Sequence, residues 1–306
     1  MSEATHRTGR IEKLEALEAN REKDWFLRGS AIVTFLAVGI AWLTSRPLMG
    51  RLSAERRWIN LQNFAEGLVP SPVRKSGNWG DAFPWAWELL SDGGFMALVT
   101  TVGIAAAAIL LAGAMVLPML PLASRKFSRL DPFSMRAGNP AKISRIFWKV
   151  IGPIVRFSMV LSRSVPEYLI AFLLLSLLGL QVWPLVLALA IHNFGILGRL
   201  WGEVIENTDD AAAAHLFGSG SGRANVFASA TLPGALNRFL IYFFYRWETC
   251  VKDATVLGML GLLTIGKLIA LSKGFFWDEM FFYVLLSASV IIVMDFTSTW
   301  LRRRLR

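Results

Sequence analysis

Two long stretches of this chain carry no charged side chain, and this feature constrains its fold more than any other. Residues 93–124 contain no Asp, Glu, Lys or Arg, and residues 168–198 contain none either. A helix needs about 20 apolar residues to cross a hydrocarbon core of roughly 30 Å. Because helices buried in soluble proteins do not stay uncharged over such lengths, the two stretches predict an all-α polytopic membrane protein.

Six segments are long and apolar enough to be transmembrane helices. They lie near residues 27–45, 94–118, 150–180, 182–202, 237–263 and 279–301. Charged residues and Pro166 interrupt the third segment, so an oblique or broken helix is expected there. Within the polar connection 46–92, four apolar residues at helical spacing predict a short amphipathic helix: Leu61, Phe64, Ala65 and Leu68.

The charge pattern divides the chain into three parts. An amphipathic cytoplasmic segment is predicted at 1–26, a transmembrane domain at 27–301 with its core at 95–301, and a basic cytoplasmic tail at 302–306. Residues 1–28 hold six basic and six acidic residues, which is too polar for the n-region of a cleaved signal peptide.

Basic residues are unevenly distributed between alternate connections. With the N-terminus inside, the segments assigned to the cytoplasm hold twenty Lys and Arg residues, and the external segments hold eight. Since cytoplasmic loops are enriched in Lys and Arg, this bias predicts an N-in, C-in topology. The segment 206–233 then faces the cytoplasm. Contact with membrane lipid also accounts for the net charge of +10, so no nucleic-acid binding is expected.

The sequence offers little for metal or nucleotide chemistry. Cys250 is the only cysteine, and the histidines His6, His192 and His215 lie far apart, so no disulfide or metal site is expected. The stretch from Gly261 to Leu268 is similar to a phosphate loop, but it lacks a Ser or Thr after its lysine and ends an apolar helix. No nucleotide site is therefore expected in this chain.

The polar segment 206–233 separates the fourth and fifth predicted spans and is rich in Ala and Gly. Asp209 and Asp210 suit the positive end of a helix dipole. The residues from Ala211 to Phe217 can then form a short helix that lies across the membrane surface.

Glycines and a proline organise the second half of this segment. Gly218, Gly220 and Gly222 allow a sharp turn with positive φ. A second short helix, Ala224 to Ala230, would lead to Pro233, which is predicted to open the next span. On local composition alone, a plain surface helical hairpin explains the segment equally well.

Several short motifs stand between about residues 163 and 266. They are Arg163 with Val165-Pro166-Glu167, His192 before Gly195 and Gly198, Glu206-Asn207, Gly220 with Arg223, Leu232-Pro233, Tyr245-Arg246-Trp247-Glu248, and Ala254-Thr255-Val256-Leu257-Gly258 leading to Gly266. Together, over about a third of the chain, they make it resemble the phosphonate-type ABC importer permeases.

This resemblance implies a type I ABC importer permease fold in a bacterial inner (cytoplasmic) membrane. It also implies a homodimer with a central path, two ABC ATPase subunits, and a periplasmic or lipid-anchored solute-binding protein. The solute would be a phosphorus oxyanion such as phosphonate or phosphite. The chain itself would be no enzyme and would have no catalytic residue or cofactor, because the partner ATPase binds ATP and Mg²⁺.

The resemblance further identifies 206–233 as the segment that couples the permease to the ATPase. The residues expected to carry coupling are Asp209, Asp210, Ala214, His215, Gly220, Arg223, Leu232 and Pro233. The sequence departs from the family at two points. The family loop usually opens with Glu-Ala where this chain has Ala214 and His215, and the glycines are denser than usual around Gly218 to Gly222.

Charged residues within the predicted spans are costly and usually face a cavity or a partner. The candidates for the translocation path are Arg246, Glu248, Lys252, Asp253, His192 and Glu167. Arg246 or Lys252 would attract the oxyanion, and the carboxylates would limit its affinity. The alternative, favoured for any single residue, is structural pairing. Glu248 and Lys252, four residues apart, fit a pair on one helix face. Asp295 either reaches the inner membrane surface or pairs with Arg302.

Other classes of function remain open. An ion-gradient-driven secondary transporter of a small anion would use the same charges, although no internal repeat relates the two halves of the sequence. A permease for a different solute class would share every motif described above. A membrane enzyme would need a cluster of catalytic side chains, and the scattered histidines argue against one.

Overall fold

The computed structural model describes residues 25–45, 54–129, 132–134 and 142–305. Within these residues every regular element is helical. The chain divides into two compact units, Met1–Asn63 and Phe64–Arg306. The amphipathic segment predicted at 1–26 lies almost wholly outside the described residues.

The first unit contains one long apolar helix, α1 (Trp25–Ser45), and the start of α2 (Ala54–Gly67). The apolar side chains of α1 are exposed along its whole length. With 21 residues it is long enough to cross a hydrocarbon core, and its surface suits contact with lipid or with another apolar helix. This helix corresponds to the span predicted at 27–45.

Among its described residues, the second unit contains the end of α2 and twelve further α-helices. They are α3 (Ser71–Ser76), α4 (Ala82–Leu89), α5 (Phe95–Ala123), α6 (Arg125–Ser128), α7 (Lys142–Ser164), α8 (Glu167–Leu178), α9 (Val182–Glu206), α10 (Ala211–Gly218), α11 (Arg223–Val226), α12 (Leu232–Gly258), α13 (Ile265–Ser272) and α14 (Trp277–Leu305). The predicted amphipathic helix of the 46–92 connection is confirmed as α2, whose Phe64 meets Trp277 edge to face at 5.5 Å.

Helix α9 forms the centre of the second unit and packs against α5, α7, α8 and α12. Its leucines Leu185, Leu189 and Leu197 are fully buried. Near the α12 side, Trp201 stacks on Phe239 with ring centroids 4.8 Å apart and donates its indole N–H to the Phe239 carbonyl at 3.1 Å. The bond satisfies the indole N–H while the ring contributes buried area, so it fixes α9 against α12.

Four helices of the described chain are long and apolar enough to cross a membrane, and five if α7 and α8 form one bent span. The four are Trp25–Thr44, Trp79–Ala123, Val182–Glu206 and Trp277–Arg304, and the second of them includes both α4 and α5. Helix α12 is also long enough at 27 residues, but it carries five charged side chains. With α12 added, the long helices fall where the six spans were predicted, although α12 begins and ends five residues before the predicted 237–263.

The predicted break in the third span is confirmed. Helices α7 and α8 meet at an angle of 91°. Pro166 causes the bend, because it has no N–H for a helical bond and disfavours a helical conformation at the residue before it. Its carbonyl instead accepts from the N–H groups of Leu169 and Ile170, which starts α8 in a new direction.

Candidate coupling segment and embedded charge cluster

The segment between α9 and α12 begins with a tight turn. The side-chain amide of Asn207 donates to the Glu203 carbonyl at 2.9 Å, and the Thr208 hydroxyl donates to the Val204 carbonyl at 2.7 Å. The Asp209 carboxylate then accepts from the Ala211 N–H at 3.1 Å, which satisfies a free donor at the start of α10. The predicted helix from Ala211 is confirmed and ends at Gly218.

Gly220 alone makes the turn after α10, so the prediction for its neighbours was wrong. Gly220 has φ 103°, whereas Gly222 has φ −71° and Gly218 is the last residue of the helix. The N–H of Gly220 donates to the Phe217 carbonyl at 3.0 Å, and the N–H of Ser221 reaches back to Leu216 at 3.3 Å. These bonds close the carboxyl end of α10 as in a Schellman motif, which requires only one residue at positive φ.

The second short helix predicted at Ala224–Ala230 is not a separate element. The backbone is helical from α11 through a π turn at Phe227–Thr231 and continues directly into α12. Pro233 lies in the first turn of α12, as predicted, although the backbone is already helical before it. The wider π turn lies just before it and relieves the clash between a proline ring and the carbonyl four residues earlier.

One face of the segment is buried and the other is exposed. Ala214 is only 8% exposed, so this predicted coupling residue packs inside its own unit and does not face outward. Leu232 is half-buried, whereas His215, Gly220 and Pro233 are exposed. Apart from the imidazole of His215, the side chains on the exposed face of α10 are thus small.

Two cations hold the segment to the preceding part of the chain. Lys126 of α6 donates to the Thr208 carbonyl at 2.8 Å and pairs with the Asp210 carboxylate at 3.2 Å. Arg223 donates to the Phe127 carbonyl at 2.6 Å and stacks over the Trp148 ring at 3.9 Å. The predicted coupling residues Asp210 and Arg223 therefore have structural partners within the chain.

An aromatic cluster lies beneath these contacts. Phe127 meets Phe133 at 5.4 Å and Phe227 at 5.9 Å, and Phe133 meets Phe217 at 6.0 Å, all near edge to face. The cluster was not predicted, because basic residues dominate the sequence of 123–149. The signal was present in the apolar residues Phe127 and Phe133, which interrupt the basic run.

Four of the five charged side chains of α12 form ion pairs among the described residues. Arg246 donates from Nε to Oδ1 of Asn193 at 2.9 Å, and its Nη2 lies 3.7 Å from Asp253 Oδ2. The Asn193 amide in turn donates to the Leu189 carbonyl at 2.8 Å. Asn193 is fully buried and was missed from the sequence, although it is the only amide within an otherwise apolar stretch of α9.

A second group of charges connects α12 to α14. The predicted pair of Glu248 and Lys252 is confirmed at 2.7 Å. Arg302 lies 3.9 Å from both Glu248 and Asp295, so its predicted pairing with Asp295 is also confirmed. Glu248 is 9% exposed and Lys252 is 45% exposed by side chain, so the ammonium remains accessible while the carboxylate does not.

The last two candidates, Glu167 and His192, meet near the start of α8. His192 Nε2 lies 3.6 Å from the Glu167 carboxylate, and its Nδ1 lies 3.1 Å from the Val165 carbonyl. Electrostatic interactions also link Asp253 to Arg246, Glu167 and His192. The structure therefore gathers four of the six path candidates into one cluster, while Glu248 and Lys252 belong to the α14 group.

The sequence matches proteins of membrane transport systems. Residues 134–306 match the model of the family described as binding-protein-dependent transport system inner membrane component. The phosphite transport system permease protein PtxC of Stutzerimonas stutzeri is 30% identical over 145 residues, which are 47% of this chain and 53% of that protein. The phosphate-import permease protein PhnE of Mycolicibacterium smegmatis is 32% identical over 113 residues, covering 37% and 21% of the two chains. The match thus spans about half or less of these relatives' length.

Solved structures show the same fold at low sequence identity. The crystal structure of an amino acid ABC transporter with histidines aligns with a TM-score of 0.55 and 13% identity, over 74% of this chain and 98% of that one. An inward-facing structure of the MetNI methionine ABC transporter aligns with a TM-score of 0.56 and 14% identity, over 73% of this chain and 98% of that one. The fold is that of type I ABC importer permeases. Because the family match covers more than half of its length, this chain belongs to the family of binding-protein-dependent transport system inner membrane components.

Proposed function

We propose that this chain is the permease subunit of an ATP-driven importer for a phosphorus oxyanion. Family membership and the helical fold support a transport role, and the relatives named for phosphite and phosphate import support the solute class. The chain is not an enzyme in this proposal. A separate ATPase binds ATP and Mg²⁺, and a solute-binding protein delivers the oxyanion to a homodimer in a bacterial inner membrane.

The observation that carries this proposal is the construction of the segment 206–233. Its inner face is fixed by the contacts of Lys126 and Arg223, while its outer face is exposed and carries mostly small side chains. A segment that transmits force must be rigid within its own chain and open to a partner. Both conditions are met here, and a surface hairpin without a partner needs neither the cation contacts nor the aromatic cluster.

The continuous helix from α11 into α12 provides a direct mechanical route. A displacement of the segment by the ATPase moves α12, which carries Arg246 and Asp253. Arg246 is bonded to Asn193 on α9, so relative motion of α12 and α9 changes the environment of this guanidinium. In the proposed cycle, Arg246 exchanges protein partners for the oxyanion, and the nearby carboxylate favours its release.

Gly220 gives a test with a matched control. Both Gly220 (φ 103°) and Gly274 (φ 97°) have positive φ and open space where a methyl group would lie, so Ala imposes similar backbone strain at each, about 1–2 kcal/mol. In a reconstituted complex with its ATPase and binding protein, Gly220→Ala should lower solute-stimulated ATP hydrolysis at least fivefold. Gly274→Ala should leave it within twofold of the unmodified chain. Equal stimulation in both variants would contradict the coupling role.

A further inference from the structure

A cavity of about 280 Å³ lies between the carboxyl end of α5, the middle of α7 and the second half of α9. Its volume is near the lower end of the roughly 300–1,000 Å³ typical of small-molecule sites. The charged residues that line it are Arg125, Arg156, Arg163, Arg199, Glu203 and Glu206. None of them belongs to the α12 charge cluster, so this is a separate polar site.

The carboxylates of this cavity already have partners. Glu203 pairs with Arg199 at 2.8 Å, and Glu206 accepts from the backbone N–H of Arg125 at 3.2 Å. Across the residues that the structure describes, no carboxylate lies within 4.0 Å of the guanidinium of Arg156 or Arg163. Besides Arg125, whose guanidinium also has no ion pair among the described residues, the cavity therefore contains two arginines whose charge is not neutralised there.

The hydrogen bonds of these two arginines are also incomplete. Arg156 donates from Nη1 to the Ala123 carbonyl at 3.0 Å. The Nε of Arg163 is buried and has no acceptor among the described residues. A buried charged donor without an acceptor costs free energy, and the cavity beside it has room for a ligand that supplies oxygen atoms.

Three glycines of α9 determine the shape of this cavity. At Gly195 and Gly198 a Cβ atom would clash with Met159 and Arg163 of α7, so these glycines let the two helices approach closely. A Cβ atom at Gly202, one turn further, would meet nothing within 4 Å. The cavity thus opens at Gly202 because the residue has no side chain to fill it.

We infer that this cavity binds a tetrahedral phosphorus oxyanion through Arg156 and Arg163. Arginine presents planar pairs of N–H donors that match phosphate oxygens, and the two unpaired guanidinium groups supply the opposite charge. The group can come from a phospholipid headgroup or from a free phosphorus oxyanion, because both present the same oxygens. The inference does not depend on the proposed transport function, since it concerns binding alone.

Binding to the purified full-length chain tests this site. The free oxyanion is tested with inorganic phosphate against chloride at equal ionic strength, and the lipid with nanodiscs of phosphatidylglycerol against phosphatidylcholine. Native mass spectrometry and the unfolding temperature report binding. Gly202→Met should fill the cavity and weaken binding at least tenfold. Arg163→Gln should also weaken binding at least tenfold, because it removes a guanidinium. Gly103→Met is the control, because Gly103 is another helical glycine with nothing within 4 Å and lies outside the cavity.

The outcomes separate the two sources and can overturn the site. A response to phosphate alone identifies a free oxyanion, and a response to phosphatidylglycerol alone identifies a headgroup. No response of the unmodified chain to either probe would overturn the inference. Unchanged binding by Gly202→Met and Arg163→Gln would also overturn it. Failure of Gly202→Met to fold would contradict the open geometry on which the site depends.

Discussion

At the scale of single residues, the important feature is that the buried Arg246 has both an amide and a carboxylate partner. Its Nε is bonded to Asn193 and its Nη2 lies beside Asp253, while only 11% of the side chain is exposed. A buried guanidinium is stable only when its donors and charge are satisfied. Asn193 therefore has a structural role that is as specific as that of the charged residues.

Removing the Asn193 amide should destabilise the protein. Asn193→Leu keeps a side chain of similar size but leaves the Arg246 Nε without its acceptor, so we expect a loss of about 2 kcal/mol in the free energy of unfolding. The unfolding transition of the purified protein in detergent measures this change. Asn237→Leu, at an exposed position of α12, is the control and should change stability by less than about 0.5 kcal/mol. Equal stability of both variants would show that the amide contributes nothing.

Some of these residue contacts follow from spacing, and others do not. Glu248 and Lys252 are four apart on one helix, so their pairing was predictable. Asn193 and Arg246 are on different helices and 53 positions apart, so only the packing of α9 against α12 brings them together. The same is true of Lys126 and Asp210. Local sequence contains no information on which long-range pair forms.

At the scale of helices, close approach of α7 and α9 depends on Gly195 and Gly198. The close contact does not extend to Gly202, where a Cβ atom would meet nothing within 4 Å. A Cβ atom at Gly195 would clash with the Met159 carbonyl oxygen and lie 2.6 Å from the Arg163 nitrogen, both backbone atoms. Because backbone atoms cannot rotate away, the helices themselves would have to separate.

This geometry predicts opposite outcomes for two glycines of one helix. Gly195→Ala should destabilise the protein by about 1–3 kcal/mol through overpacking. Gly202→Ala should not, because its methyl group meets open space and Ala favours the helix. Thermal unfolding of the two variants measures the difference. Equal stability of the two, or a less stable Gly202→Ala, would contradict the described packing of α7 against α9.

The existence of the long helices was easier to predict than their ends. Uncharged runs such as 93–124 identify helices without any knowledge of their neighbours, and Pro166 marks a break by its own chemistry. The predicted second helix of the segment failed because a π turn carries the backbone through Phe227–Thr231. Phe227, the first residue of this turn, is buried in the aromatic cluster, and the residues that form the cluster are distant in sequence.

At the scale of the whole molecule, the proposed function requires the segment 206–233 to face the compartment that contains the ATPase. The predicted topology places it in the cytoplasm, and this orientation remains a prediction. The division into a cytoplasmic segment at 1–26, a membrane domain at 27–301 and a basic tail also remains a prediction. If the orientation were reversed, the same contacts would hold the segment rigid on the side where no ATP-driven partner works.

The accessibility of His215 tests this central claim most directly. His215 is exposed on α10, so a His215→Cys thiol should react readily, whereas the native Cys250 is fully buried and gives little background. Lys75→Cys, at an exposed position of α3 in the predicted external connection, is the matched control.

A membrane-impermeant maleimide should label His215→Cys in inside-out vesicles and Lys75→Cys in right-side-out vesicles, and the bound ATPase should protect only His215→Cys. Labelling of His215→Cys from the outside of right-side-out vesicles would contradict the account.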